Sequence, residues 1–361
     1  MGERKLETVV LGLNDDGQLL LKAASQIGAI RIQAIADKDA GTAEKLAAEH
    51  ECAAYDDYRQ LITAVDARLG EDEQRCLLVG ARIHSCAEYV RMAIKKGFNV
   101  LKCAPAARDF EEAAELVRLA EEEDVKFGVA NPGRFAGSYA GLRAFLEQGR
   151  VEQVFLIAAF CSFAGESPGK WQSDPKLAGG GVLLHKCYKI IDQIMCNFPI
   201  PQQVYSLTTN QALDKQQRLS LTEDTAVVAM KFSDTLVGNL LASSRVGFSP
   251  SREFVKVYGK DKILVVNDTH LTLSDAQGQV SEEFEYDNDA LGCMKEVLEN
   301  FAAGVLLPDE HEVYSSGREN LKNMAVIESA YLSARTGMPE EPGRILQMGQ
   351  FEATDVEADF K

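Results

Sequence analysis

With 361 residues the chain exceeds a typical single domain, which predicts two. A hydrophobic fraction of 46% suffices for sizeable cores, and a formal net charge of −17 argues against nucleic acid or an anionic membrane surface as the main partner, because phosphates are bound through surplus Lys and Arg. No segment approaches the roughly 18 apolar residues of a membrane span, the opening MGERKLETVV lacks a signal peptide's apolar run, and the eight cysteines form no CxxC pair, so free thiols in a reducing cytoplasm are expected.

The first third alternates short apolar runs with helical patterns. Leu6–Leu11 reads as a strand and Gly17–Ser25 as the helix after it. Ile30–Ala36 is a second strand, closed by Asp37, and Thr42–His50 is helical. Cys76–Val79 is a buried strand, followed by a helix over Ser85–Lys96 that stops at Gly97. A strand through Val100 and Leu101, a helix over Phe110–Glu123 and a strand over Lys126–Ala130 complete the series. Repeated strand–helix alternation predicts an α/β domain with a doubly wound parallel sheet over residues 1–133.

The texture changes near residue 150. Glu152–Phe160, Val204–Thr209, Thr225–Phe232, Leu236–Ser243, Val255–Tyr258 and Ile263–Val266 are β-rich, several joined by short polar turns. This predicts an α+β domain over 134–340 with an open, mostly antiparallel sheet. Leu183–Cys196 interrupts it as a helix, and Met294–Gly304 and Gly317–Thr336 close the fold, the last packing back on the first domain. Residues 341–361 are read as a tail, acidic and frayed over Glu352–Lys361.

The turn after the first strand, Gly12-Leu13-Asn14-Asp15-Asp16-Gly17, carries two of the three glycines of a dinucleotide-binding turn. Asn14 stands at the second. Asp37, twenty residues past Gly17, sits where a carboxylate would hold the ribose hydroxyls of NAD and repel the extra phosphate of NADP. The other reading is a strand–turn–helix capped by Asn14, Asp15 and Asp16. A carboxylate about 4 Å from a phosphate costs about 4 kcal/mol at an effective dielectric of 20, less if it turns to solvent.

Downstream, Arg82 and His84 follow the third strand, where such folds bind the nicotinamide half, although Arg82 also reads as a plain loop residue. Trp171, the only tryptophan, either packs structurally or stacks on a sugar ring. After the triple glycine Gly179-Gly180-Gly181, His185 and Lys189 lie one helical turn apart; a helix-end pair with no chemistry is the bland alternative. His185 and Cys187 are two apart, which separates them on a helix, and no metal site is expected. Arg134-Phe135 reads as structural.

Two segments carry a resemblance: Phe98 to Ala107 (FNVLKCAPAA) and Trp171 to Lys189 (WQSDPKLAGGGVLLHKCYK). With the turn at Gly12, Glu223-Asp224-Thr225-Ala226, Tyr258-Gly259 and the helix ending in Ala330 to Gly337, they make nearly the whole chain similar to the Gfo/Idh/MocA oxidoreductases, named for glucose–fructose oxidoreductase and inositol 2-dehydrogenase. The resemblance implies an NAD(P)-dependent dehydrogenase of a sugar, sugar acid or cyclitol, and Asp37 favours NAD over NADP. It also implies a homodimer or homotetramer formed through the open sheet. It further implies a Glu-Lys-Pro signature and an Asp and a His four apart, but this chain has Cys103-Ala104-Pro105, and His185 and Lys189. A positioned acid/base is worth about 10²–10⁴-fold, which alanine cannot supply. Lys189, His185 and Lys102 are the candidate substitutes, Lys102 pointing to the same strand side as Ala104, with Tyr188 as a further proton carrier. An acidic sugar would suit such a cationic pocket. The alternatives are a member without redox activity, serving ligand sensing or partner binding, and a non-redox lyase or isomerase.

Overall fold

A computed structural model describes residues 5–70, 73–163, 169–245, 252–287 and 289–351. The chain divides into two compact units, Met1–Ala107 with Glu112–Pro132 and Asp289–Arg318, and Arg108–Glu111 with Gly133–Asn288 and Glu319–Lys361. The distant segment Asp289–Arg318 completes the first unit.

The first unit runs β1 (Leu6–Leu11), α1 (Asp15–Ala24), β2 (Ile30–Ala36), α2 (Ala40–Glu49), β3 (Ala53–Tyr55), α3 (Tyr58–Asp66), β4 (Arg75–Val79), α4 (Ala87–Ile94), β5 (Phe98–Cys103), α5 (Phe110–Glu122) and β6 (Phe127–Ala130). Its six strands are all parallel, in the order β3-β2-β1-β4-β5-β6. That is the doubly wound Rossmann order, whose direction reverses between β1 and β4 and leaves a crevice at their carboxyl ends. Every residue of β1 is buried, as a strand covered on both faces requires.

The second unit continues with α6 (Gly137–Glu147), β7 (Leu156–Ser162), α7 (Lys170–Ser173), α8 (Pro175–Ala178), α9 (Val182–His185), α10 (Tyr188–Asn197), β8 (Gln203–Thr209), α11 (Lys215–Ser220), β9 (Thr225–Lys231), β10 (Val237–Ser243), β11 (Arg252–Tyr258), β12 (Lys262–Val266), β13 (His270–Asp275) and β14 (Val280–Glu285). Then α12 (Ala290–Leu306) returns to the first unit, packing on α1 and β6 with Phe301 against Gly128. Finally α13 (Gly317–Thr336) and α14 (Pro342–Met348) follow. The eight-stranded sheet has the order β14-β13-β12-β11-β7-β10-β9-β8 and is antiparallel except where β7 meets β10.

One sheet face is core: Ile157, Ala159, Val228, Leu240, Val255 and Leu264 are all buried. The other carries a cross-strand row, Leu207–Val227–Leu241–Phe160–Phe254, each residue registered with the next. Leu207, Val227 and Leu241 are exposed, and the rings of Phe160 and Phe254 stack at 5.5 Å.

The strands and helices expected in the first third form, and β3 and α3 add to them. Several features differ from expectation. The helix expected over Leu183–Cys196 is broken into α9 and α10 at Lys186 and Cys187. The three-residue β3 is too short to carry a period, and β14, mostly exposed and acidic (VSEEFE), lacks an apolar alternation to read. Residues 341–361 include a helix, because Pro342 opens α14 and Ile345 and Leu346 are buried. The acidic segment 352–361 lies outside the described residues.

Candidate functional site

In the first unit the turn from β1 to α1 is built by glycines that close approach requires. Gly12 has φ +83°, and a Cβ there would come within 2.4 Å of the Ala81 backbone. A Cβ on Gly17 would stand 1.9 Å from the Gly12 carbonyl oxygen, and one on Gly80 2.2 Å from the Gly17 Cα. Gly80 and Ala81 both donate their N–H to the Leu11 carbonyl, tying the end of β4 to the end of β1. Asn14 caps α1, its Oδ1 accepting the Gly17 N–H at 2.9 Å. Asp15 and Asp16 occupy the first helical turn and are exposed. Asp37 braces the same turn: Oδ2 accepts the Leu13 N–H at 2.7 Å and Oδ1 the Asp39 N–H at 2.9 Å. Each oxygen keeps a second lone pair for a ligand hydroxyl. The backbone therefore fits a dinucleotide, and the acidic pair faces solvent.

After β4, Arg82 is exposed and opens a single 3-10 turn, Ile83–Ser85, whose Ser85 N–H and hydroxyl both donate to the Arg82 carbonyl. His84 is half-buried within it. Lys102, in β5, is 4% exposed; its ammonium donates to the Pro105 carbonyl at 2.6 Å and to that of Cys103 at 3.2 Å, across the cis Ala104–Pro105 bond. It braces the turn that follows β5. Burial, first, and the charge of Asp16 push the Cys103 thiol far above its ordinary value, so it stays protonated.

In the second unit each residue of the triple glycine has its own reason. Gly179 has φ +78°, and a Cβ would meet the Arg108 carbonyl oxygen at 2.1 Å. A Cβ on Gly180 would meet the Tyr331 hydroxyl at 2.0 Å, and one on Gly181 the Glu223 carbonyl oxygen at 1.9 Å. Glu223 collects three consecutive N–H groups. Its Oε2 accepts from Gly181 at 2.8 Å, its carbonyl from Val182 at 3.0 Å, and its Oε1 from Leu183 at 2.9 Å. The Tyr331 hydroxyl donates to Oε1 at 2.9 Å. Burial raises this carboxyl to about 7, against the pull of those donors. Beyond the turn, His185 Nε2 pairs with the Ala178 carbonyl at 2.9 Å, and its ring meets Trp171 edge-on at 5.7 Å.

Lys189 begins α10 and looks elsewhere. Its ammonium donates to Asp268 Oδ1 at 2.7 Å and ion-pairs with Glu253 Oε2 at 3.0 Å. Burial alone would lower this lysine, but the Glu253 and Asp268 charges outweigh it and hold it above its ordinary value. Desolvation raises Glu253 despite Lys189. Among the described residues, two buried polar groups near Lys189 have no hydrogen-bond partner: the Tyr139 hydroxyl, whose ring lies 6.0 Å from the ammonium, and the Gln193 amide one turn on. Such groups ask for a polar ligand or water. Tyr188 is buried and its hydroxyl donates to Asn320 Oδ1 at 2.9 Å, a packing role. Arg134 forks onto Asp192, both almost fully buried, and reaches Glu319 at 2.9 Å.

Gly12, Asn14, Gly17 and Asp37 thus converge on one turn, and Trp171 meets His185. His185 and Lys189 do not share a helix face, because the helix breaks between them. The partners Glu253 and Asp268 were not singled out from sequence, where the one signal for Glu253 is an acid inside a strand. The clamp residues Glu223 and Tyr331 lie in motifs quoted for the resemblance, but no role was assigned to them.

Known proteins resemble this chain over nearly its whole length. Residues 6–131 match the family model "Oxidoreductase family, NAD-binding Rossmann fold", and residues 143–341 match "Oxidoreductase family, C-terminal alpha/beta domain". An uncharacterised oxidoreductase of Schizosaccharomyces pombe is 26% identical over 156 residues, 43% of this chain and 41% of its own length. Among solved structures, levoglucosan dehydrogenase in complex with NADH and levoglucosan has TM-score 0.81 at 15% identity, covering 94% of this chain and 99% of its own. An Agrobacterium radiobacter oxidoreductase with NAD+, L-tartaric acid and magnesium has TM-score 0.79 at 16% identity, covering 95% and 100%. The WlbA dehydrogenase of Bordetella pertussis, with NADH and UDP-GlcNAcA, has TM-score 0.76 at 16% identity, covering 94% and 99%. At such identities the likeness shows the fold. Among the described residues no helix is long and apolar enough to cross a membrane.

Proposed function

This chain belongs to the Gfo/Idh/MocA oxidoreductase family, and from that premise we propose that it is a cytoplasmic NAD(H)-dependent oxidoreductase acting on a neutral sugar or cyclitol. The observation that carries the reading is the turn at Gly12 and Gly17, whose backbone a side chain would fill, braced by Asp37. Gly12 and Gly17 allow the tight bend and close packing that present the start of α1 to a pyrophosphate, and the Asp37 carboxylate accepts ribose hydroxyls and repels a 2′-phosphate, which favours NAD over NADP. The nicotinamide, when bound, takes or gives a hydride.

Lys189 acts here as a cation that donates a hydrogen bond to a substrate oxygen. A lysine held above its ordinary value stays charged at neutral pH and cannot serve as the general base. Glu253 and Asp268 offset its charge and accept hydrogen bonds from hydroxyls, which favours a polyol over an acidic sugar. His185 is the remaining half-buried group able to carry the proton, since Lys102 and Tyr188 are buried and committed to neighbouring groups. A second reading, a ligand-binding member without redox activity, draws on Ala104 and on the same pinning of Lys189.

Titration of the purified protein with NAD, NADH, NADP and NADPH tests the reading. Micromolar binding of NAD(H), followed by nicotinamide reduction with a panel of polyols, supports it; absence of binding up to millimolar overturns it. Binding without turnover across the panel transfers support to the second reading.

The apolar row Leu207–Val227–Leu241–Phe160–Phe254 supports a homodimer or homotetramer formed through the open sheet. Leu241→Glu is expected to yield monomers in light scattering; an unchanged oligomer, or a monomeric wild type, removes this part.

A further inference from the structure

Three consecutive backbone N–H groups, those of Gly181, Val182 and Leu183, end on one residue, Glu223. The neighbouring Thr222 hydroxyl donates to the Gln172 carbonyl at 2.8 Å, so the pair Thr222-Glu223 holds both flanks of the loop. That loop carries Trp171 at one end and His185 at the other, in edge-on contact.

We propose that Glu223 is a positioning residue: as a carboxylate it clamps the triple-glycine turn and so sets where His185 and Trp171 stand, and its protonation releases them. The carboxylate's two oxygens accept from Gly181, Leu183 and Tyr331, all donors. Protonation on either oxygen removes the negative charge that strengthens the Gly181 and Leu183 bonds, and a proton on Oε1 turns the Tyr331 hydroxyl from donor to acceptor, so the clamp weakens. The glycines cannot be replaced by a residue that holds itself in place, because each would collide with Arg108, Tyr331 or Glu223. Two further titratable groups face the carboxyl: Tyr331 from α13 and Cys187 at the start of α10. Both are driven far up, first by burial, so both stay neutral while Glu223 changes charge near neutrality.

Trp171 is the only tryptophan, so its emission reports on this loop without any substrate. The readout is optical, so its failure is separable from failure of the oxidoreductase reading. Emission of the wild type, followed from pH 9 to pH 5, is expected to change around the value of about 7 that burial gives Glu223. Histidine also titrates in this range and quenches indole when charged, so His185→Gln is the control. The change should persist in His185→Gln and vanish in Glu223→Gln. Tyr331→Phe removes a donor that favours the charged form, and should move the midpoint up by about half a unit or more. Persistence in Glu223→Gln, loss in His185→Gln, or an unmoved midpoint in Tyr331→Phe overturns the proposal. If Glu223→Gln does not fold, the other two variants still decide.

Discussion

Replacing Arg134 by methionine tests how the second unit is held. The guanidinium Nε lies 3.0 Å from Asp192 Oδ2, Nη2 lies 2.8 Å from Oδ1, and Nη1 lies 2.9 Å from Glu319 Oε2. The side chains of Arg134 and Asp192 are 2% and 1% exposed. Burial pulls this arginine's value down, and the Asp192 charge more than offsets it. Arg134→Met preserves much of the volume but takes the guanidinium's charge away from Asp192, which keeps the Asn323 amide at 2.8 Å. Orphaning one partner of a buried pair costs about 3–5 kcal/mol. Urea unfolding followed by Trp171 emission, which lies in the same unit, measures the loss. Arg134→Met/Asp192→Asn removes the orphaned charge while keeping an acceptor for Asn323, and should recover about 2 kcal/mol or more. A single-variant loss below about 1 kcal/mol, or a double variant no better than the single, refutes the reasoning.

The remaining predictions concern the candidate sites. Lys189→Arg keeps the charge and should hold polyol affinity within about threefold, whereas Lys189→Met should weaken it about tenfold or more; equal behaviour of the two, and of Lys189→Ala, removes Lys189 from the site. Asp15→Asn/Asp16→Asn should tighten NADH binding about three- to tenfold at low salt, and the gain should shrink as salt is added; an unchanged affinity at low salt shows that the pair is electrostatically silent. Glu223 carries a sign that is easily reversed. Its carboxyl is held at about 7 when folded against an ordinary 4.5, so the folded chain keeps a proton that the unfolded chain has lost between those values. Stability attributable to Glu223 is therefore full below about 4.5, falls by about 3 kcal/mol as pH rises to about 7, and is flat above. Glu223→Gln should lack that slope, which urea midpoints of both proteins at pH 5 and pH 8 would show; parallel curves contradict it.

Where a pattern is local, the sequence reading reached the right structure. The Gly12 turn, Asp37 and the alternation up to Ala130 are legible because strand and helix periods repeat over short windows. The break at Lys186 and Cys187 is not, because Leu183, Leu184, Ile190 and Ile191 keep an apolar face on either side of it. The carbonyl and carboxylate of Glu223, some forty residues away, hold the start of the first of those short helices separately. The roles expected of Lys102 and Lys189 depended on what their ammonium groups touch. Pro105 and Cys103 carbonyls in one case, and Glu253 and Asp268 in the other, are facts of tertiary packing that no spacing encodes.

The segment Ala290–Leu306 packs on α1 and β6, although more than 150 residues of the second unit separate it from β6 in the chain. A ribosome therefore synthesises the six parallel strands long before the helix that covers part of them. Until that helix emerges, the seat of Phe301 beside Gly128 stays bare on the nascent chain. The unit whose strands are made first is completed only after the strands of the other have been translated, and a fragment ending near residue 133 would carry that apolar seat permanently uncovered.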